Sequence, residues 1–328
     1  MAVLCTNCNR ITPAREIAYV TAPQAYLRDR VAAIYNKIVL VKNGDRLEVL
    51  ERSRRFVRVR TASGQEGWLE QRYLVGQDVF DALQKLVADN RNTPVQATGL
   101  TRNDTKLHLT PTRDAEHLYQ LKEGSKLLIV KRAVTEKAQP ANVPVKVDVN
   151  AKHDPPKPAL EDWWLVRDSQ DHVGWVLARM VDLDLPLEVA QYAEGQRIVG
   201  AFVLDRVRDG EKEVPQYLMV LTEPRDGMPF DYNQIRVFTW NLRRHRYETA
   251  YRERNLFGLF PVTVKEENFD KEGVLPAFIL RVQNVQGGVN ERKYKLNTPI
   301  VRRVVSPDEQ QQMASNPTPK RRRAHRRR

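Results

Sequence analysis

The sequence predicts a mainly β protein: two small β-barrels of one kind joined by a linker helix, then a C-terminal β-rich, sandwich-like domain and a disordered basic tail. The first observation behind this is a pattern that occurs twice. Val41-Lys42-Asn43-Gly44-Asp45-Arg46-Leu47-Glu48-Val49 is matched by Leu121-Lys122-Glu123-Gly124-Ser125-Lys126-Leu127-Leu128-Ile129. Downstream, Phe56-Val57-Arg58-Val59-Arg60 and Gly67-Trp68-Leu69 align with Trp163-Trp164-Leu165-Val166-Arg167 and Gly174-Trp175-Val176, and Arg72-Tyr73-Leu74 with Arg179-Met180-Val181. A fixed order of Gly turn, strand, aromatic strand and Gly-Trp strand, met twice, indicates a duplicated domain. The second observation is the alternation of apolar and polar residues in these runs, the period of a half-buried strand. The third is that helical spacing marks one clear segment, between Gly76 and Gly99.

These residues resemble the bacterial SH3-like domain: a Gly turn before L-x-V, an aromatic strand, a tight turn, then Gly-Trp and a terminal aromatic or Met beside Leu or Val. The resemblance covers residues 17–76 and 98–184. The first copy has Phe56 where the family usually has Trp, and the second carries a long insertion between Arg132 and Trp163. The resemblance implies small half-open β-barrels of the kind found on cell-envelope proteins, where they often bind peptidoglycan or its peptides.

In chain order, residues 1–16 form an N-terminal segment with both cysteines, Cys5 and Cys8. A C-x-x-C pair is half of a zinc site, and the chain has no second pair, so no metal site is expected. The apolar start ending at a cysteine resembles the tail of a bacterial lipoprotein signal, with Cys8 as the lipidated residue and Cys5 as the alternative. The reading that follows is a leader lying upstream of Met1. The contrary reading, with Met1 as the true start, makes the segment a short disordered terminus and the protein cytoplasmic.

The first barrel takes residues 17–76. Asn43-Gly44 and Ser63-Gly64 are turn signals, since glycine tolerates positive φ. Arg52, Arg54, Arg55, Arg58 and Arg60 give one basic hairpin face, read as a solvated edge that resists strand addition. Residues 77–97 are the linker helix, with Val79, Leu83, Leu86 and Val87 as its buried stripe, Asp78 as N-cap and Asn92-Thr93-Pro94 as its stop. The second barrel takes 98–184, interrupted by a Pro-rich insertion at 134–161 too poor in apolar residues to fold alone. His108 and His117 are isolated and read as structural. Adjacent strand residues face opposite ways, so one of Trp163 and Trp164 is expected to be exposed or to lie under the insertion.

Residues 196–305 are the β-rich third domain. Buried-strand runs begin at Ile198, Tyr217 and Leu275, and Ile235–Trp240 with Arg246–Tyr251 reads as a hairpin. Residues 306–328 are read as a disordered tail. Lys320, Arg321, Arg322, Arg323, Arg326, Arg327 and Arg328 supply +7 of the net +13, so the charge describes a tail more than a surface. Such a tail binds anions, whether lipid head groups or nucleic acid, with strong salt dependence. The chain is 41% hydrophobic and 29% charged, and no apolar run is long enough to span a membrane as a helix.

No nucleophile elbow, H-E-x-x-H helix or phosphate-binding loop is present. The expectation is therefore a non-enzymatic envelope binding or scaffold protein without cofactor, possessing no catalytic or metal residues. It would bind peptidoglycan peptides or an envelope protein partner in a groove beside the Gly-Trp strands. Resemblance nominates Tyr26, Phe56, Trp68 and Tyr73 in the first copy and Trp163, Trp164 and Trp175 in the second, with Trp68 and Trp175 alternatively closing the barrels. Two rival readings are a cytoplasmic nucleic-acid-binding protein using the barrels and Arg tail, and a hydrolase with its site in 196–305, built on convergent carboxylates or His245.

Overall fold

Three seven-stranded antiparallel sheets account for most of the chain. The computed structural model describes residues 15–138 and 158–305. Cys5, Cys8, the tail from Lys320 to Arg328 and the centre of the Pro-rich insertion lie outside the described residues. Two compact units are distinguished: one comprises the chain up to Asn92 with Leu100–Leu127 and Ala133–Asp182, the other Thr93–Gly99, Leu128–Arg132 and the chain from Leu183.

The first sheet contains β1 (Ile17–Val20), β2 (Gln24–Arg28), β3 (Lys37–Lys42), β4 (Arg46–Ser53), β5 (Phe56–Arg60), β6 (Glu66–Glu70) and β7 (Leu74–Gly76). Their order is β3-β2-β6-β5-β4-β1-β7. The helix α1 (Gln77–Asn90) follows. The second sheet contains β8 (Ala97–Thr101), β9 (Thr105–His108), β10 (His117–Leu121), β11 (Lys126–Glu136), β12 (Leu160–Arg167), β13 (Val173–Leu177) and β14 (Val181–Leu183). Its order, β10-β9-β13-β12-β11-β8-β14, is the first order shifted by seven strands.

The duplication reaches single hydrogen bonds. Gly44 N–H donates to Val20 O at 2.8 Å, and Gly124 N–H to Thr101 O at 2.8 Å. Thr21 N–H reaches Tyr73 O as Arg102 N–H reaches Met180 O. Gly44 and Gly124 share the left-handed conformation (φ 84° and 74°) that an L side chain rarely adopts. The glycines of the two Gly-Trp pairs are required for another reason. A Cβ on Gly67 would lie 2.8 Å from Leu27 Cβ, and one on Gly174 would lie 2.6 Å from Leu107 Cβ. The neighbouring strand passes too close for any side chain.

Inside the first sheet Val20, Leu27, Val41, Leu47, Val57, Val59 and Leu69 form a closed apolar core. A further cluster of Tyr19, Val75, Leu83 and Leu118 joins the two repeats through α1, with Phe80 stacked on Tyr19 at 4.2 Å between ring centroids. The helix starts on Gly76 rather than on Asp78, and no side chain caps it. Asp78 sits in the first turn instead, where its negative charge favours the positive end of the helix dipole. The ends of the insertion are ordered: β11 runs to Glu136, β12 begins at Leu160, and Lys137 N–H donates to Ala159 O at 2.7 Å.

After the short α2 (Leu187–Ala190), the third sheet is a meander in chain order: β15 (Arg197–Asp209), β16 (Lys212–Thr222), β17 (Tyr232–Asn241), β18 (Arg246–Asn268), β19 (Val274–Gln283), β20 (Val289–Asn297) and β21 (Ile300–Val304). It is one continuous sheet. β18 pairs with β17 up to Gly258 and with β19 from Gly258 onward, the register shifting between Leu259 and Thr263. The two halves meet where Tyr294 Oη donates to Glu253 at 2.7 Å and Thr298 Oγ1 to Gln216 at 3.2 Å. A Cβ on Gly258 would lie 2.0 Å from the Tyr232 ring, which marks the bend.

Gly174→Ala should destabilise the protein by about 1–3 kcal/mol, because Leu107 backbone and Cβ both obstruct the added methyl. Urea unfolding read by far-UV circular dichroism measures this, and an unchanged midpoint would contradict the close-approach argument.

Candidate functional site

The bond between the repeats is polar as well as apolar. Asn43, in the turn before Gly44, donates its amide to Val20 O (3.1 Å) and Thr21 O (3.0 Å) in its own repeat and to Leu118 O (2.6 Å) in the other. Gln120 Nε2 returns a hydrogen bond to Thr21 O at 3.0 Å. Beside this seam lies a cleft of about 540 Å³. Its walls are the turn Asn43-Gly44-Asp45 of the first repeat, Tyr119–Lys122 with Ser125 and Lys126 of the second, and the β12–β13 turn with Asp168, Ser169, Gln170 and His172.

That last turn is held by one carboxylate. Asp168 Oδ1 accepts from the backbone N–H groups of Gln170 (2.8 Å) and His172 (2.9 Å), while Oδ2 faces His172 Nδ1 at 2.9 Å. Burial acts to raise the Asp168 pKa, but the His172 and backbone hydrogen bonds outweigh it and hold the carboxyl below its ordinary value. The His172 ring in turn stacks on Tyr119, with centroids 3.6 Å apart and planes 16° from parallel. Burial, then the Asp168 charge and Tyr19, push the Tyr119 hydroxyl up. The cleft therefore presents the Tyr119–His172 stack together with Lys122, Lys126 and Asp45. Such a surface suits a polar ligand carrying both an amine and carboxylates.

None of the seven aromatic residues nominated from the sequence lines this cleft. Tyr26 is exposed, with the Lys37 ammonium 4.4 Å from its ring centroid. Tyr73 is half-buried against the first barrel's core, and its hydroxyl accepts from Arg72. Phe56 is buried. The alternative that one tryptophan lies under the insertion involves residues outside those described, but neither Trp163 nor Trp164 is exposed (1% and 4%), which corrects that half of the expectation. The reason is that β12 is covered on both faces: every residue from Glu161 to Val166 is buried. Trp68 and Trp175 are half-buried and occupy equivalent places, Trp68 opposite Arg28 and Trp175 opposite His108.

What the structure does bring together is a pair of equivalent clusters around those partners. In the first repeat the Arg28 guanidinium lies 4.1 Å from the Tyr35 ring centroid and 5.3 Å from that of Phe56, and donates to Glu70 at 3.1 Å. In the second repeat His108 stands in place of Arg28, edge-on to Trp163 at 5.4 Å, and His117 stands in place of Lys37. Burial lowers the pKa of both histidines, that of His117 to about 4 with Lys106 and His108 adding to the effect. Two cationic positions in one repeat are thus neutral in its twin.

The remaining candidates disperse. The barrel arginines are largely paired: Arg58 and Arg60 with Glu66 (2.9 and 2.7 Å), Arg60 also with Glu48, and Arg52 with Glu16. In the third sheet His245 caps the β17–β18 turn, its Nδ1 2.6 Å from Asp209, a carboxylate that also accepts from Trp240. A separate hollow of about 430 Å³ includes Glu194 and Glu223. Arg236 and Arg252 hold Glu194 ionised, which unfits it as a proton donor. Among the described residues no group of three or more His, Cys, Asp or Glu could hold a metal ion. No helix among them is long and apolar enough to cross a membrane.

Comparison with known proteins agrees with the first barrel. Residues 24–75 match the bacterial SH3 domain family, so the chain contains such a domain. Among solved structures the chain is similar to a NlpC/P60 family protein from Bacillus cereus, with 10% identity, 51% of this chain covered and a TM-score of 0.22. The chain spans 56% of that protein's length. NlpC2 and NlpC1 from Trichomonas vaginalis are similar at 8% and 9% identity, each over 74% of this chain and over 98% and 93% of theirs, with TM-scores of 0.18 and 0.17. No curated protein matches the chain.

The neutral His117 gives a test of the second repeat. A histidine whose folded pKa lies below its ordinary value of 6.5 contributes stability that is present above that value and is lost as pH falls towards about 4. Stability from urea titrations should fall across this window in the wild type and fall less steeply in His117→Gln. Equal slopes would contradict the assignment.

Proposed function

We propose that this is a non-enzymatic cell-envelope protein that uses its paired SH3-like repeats to hold a peptidoglycan peptide, or an envelope partner presenting the same chemistry. The reading rests on the rigid two-repeat cleft beside the Asn43 seam. Peptidoglycan stem peptides are short and polar and carry both amine and carboxylate groups. Lys122 and Lys126 complement the carboxylates, Asp45 the amine, and the Tyr119–His172 stack offers contact area at low entropic cost. The bacterial SH3 domain at residues 24–75 supports the envelope setting. Lipid attachment at Cys8 would place the repeats at the membrane-facing side of the wall and belongs to the same proposal.

Retention on purified peptidoglycan sacculi tests it. Ser169→Trp fills the cleft from an exposed turn position, and Lys122→Glu with Lys126→Glu reverses its cationic side without touching the core. Each variant should lose retention by tenfold or more, in moderate salt that screens the basic tail. Undiminished retention of both would refute the cleft as the binding site.

A further inference from the structure

Apart from the insertion, the two repeats differ in the character of the loop between their second and third strands. In the first repeat this loop is Asp29 to Asn36, and its neck is closed three times. Asp29 N–H donates to Asn36 O at 3.1 Å, Asn36 N–H to Asp29 Oδ1 at 2.9 Å, and Asn36 Nδ2 to Asp29 Oδ2 at 3.0 Å. Hydrogen bonds from Arg30 and Asn36 bring the Asp29 pKa down to about 2, so the clamp persists throughout the neutral and mildly acidic range. Yet the residues held out by this neck are Val31-Ala32-Ala33-Ile34, all exposed, with Ile34 at 88% and Val31 at 45%. A pre-organised loop that displays aliphatic side chains to water is costly unless something covers them.

The second repeat provides an internal control. Its neck closes in the same way, Leu109 N–H to Glu116 O at 2.8 Å, but the loop reads Thr110-Pro111-Thr112-Arg113-Asp114-Ala115. Arg113 is engaged with Glu161 at 2.7 Å. The same fold position is therefore satisfied by polar residues, and the barrel itself does not require an apolar tip.

The surroundings of the tip indicate what covers it. Arg30 stands beside the neck, with its side chain 63% exposed even though it pairs with Asp29. Lys37 stands at the loop's other end, over the exposed Tyr26 ring. The order from tip to base is aliphatic, then cationic and aromatic. That is the order a protein meets on entering an anionic bilayer: hydrocarbon beyond phosphate, with tyrosine and lysine at the level of the head groups. We propose that the Val31–Ile34 tip of the first repeat inserts shallowly into an anionic phospholipid surface, with Arg30 and Lys37 on the phosphates. Two aliphatic side chains make a weak anchor, which acts together with a second attraction. This site is separate from the inter-repeat cleft and does not depend on what the cleft holds.

Co-sedimentation of the full-length chain with vesicles of about 30% phosphatidylglycerol in phosphatidylcholine tests the proposal. Because the basic tail also attracts anionic lipid, binding is read at ~0.15 M and again at ~0.5 M salt, where charge attraction is screened but apolar insertion is not. Val31→Ser with Ile34→Ser should lower the partition coefficient about tenfold at both salt levels. Ile34→Trp should raise it, with the fold of both variants checked by circular dichroism. Equal binding of wild type and the double-serine variant would overturn the proposal. So would absence of wild-type binding at both salt levels, even if the same serine substitutions abolished capture of a protein partner, an outcome that would assign the tip to a protein pocket.

Discussion

The geometry of the duplicated half depends on the side chain of Asn43. A single amide ties its own repeat's first strand to the backbone of β10, and Gln120 answers from the other side. Two barrels linked only by a 14-residue helix would be free to move against each other. Polar groups in a partly buried seam are expensive to leave unmatched, so these bonds select one arrangement out of the many that the apolar contact between Tyr19, Leu83 and Leu118 would permit. The cleft exists because that arrangement is fixed.

Duplication followed by divergence explains how one scaffold acquires different surfaces. The features that close each barrel are conserved between the copies: a left-handed Gly turn, a glycine with no room for a side chain, and a tryptophan beside it. The features that face outward are not. Arg28 and Lys37 have become His108 and His117, and an aliphatic loop tip in one copy is a polar loop in the other. In the second copy Leu118, on the edge strand β10, packs into the seam.

Much of the fold was legible in the sequence because turns and close approaches leave signatures. Asn43-Gly44 announced positive φ, and Gly-Trp met twice announced a duplicated strand, though not the close approach of Leu27 and Leu107 that requires its glycines. The candidate site was far less legible. Period-two reasoning assumes that one face of a strand meets solvent, and β12 violates the assumption by being covered on both, so neither Trp163 nor Trp164 is exposed. Asp78 looked like a helix cap, but the strand β7 runs straight into the helix and leaves Gly76 in the capping position. Part of the cleft lining, Asn43 to Asp45 and Leu121 to Lys126, lies in the repeated turn pattern, but nothing in that pattern says that the two turns meet. Asn43, Tyr119 and His172 are ordinary turn and strand residues far apart in the chain, and only the docking of the repeats brings them together. The Asp168-x-x-x-His172 spacing was the one local signal that could have drawn notice, since it describes a carboxylate closing a hairpin turn.

The central claim, that the seam between the repeats holds a polar peptide, is tested most directly by amide NMR of the full-length protein titrated with a soluble peptidoglycan stem tripeptide. Saturable shifts concentrated at Asn43–Asp45, Tyr119–Lys126 and Asp168–His172 are the predicted result. Shifts confined to the Trp68 and Trp175 surfaces or to the third sheet, or no shifts at millimolar peptide, would contradict it.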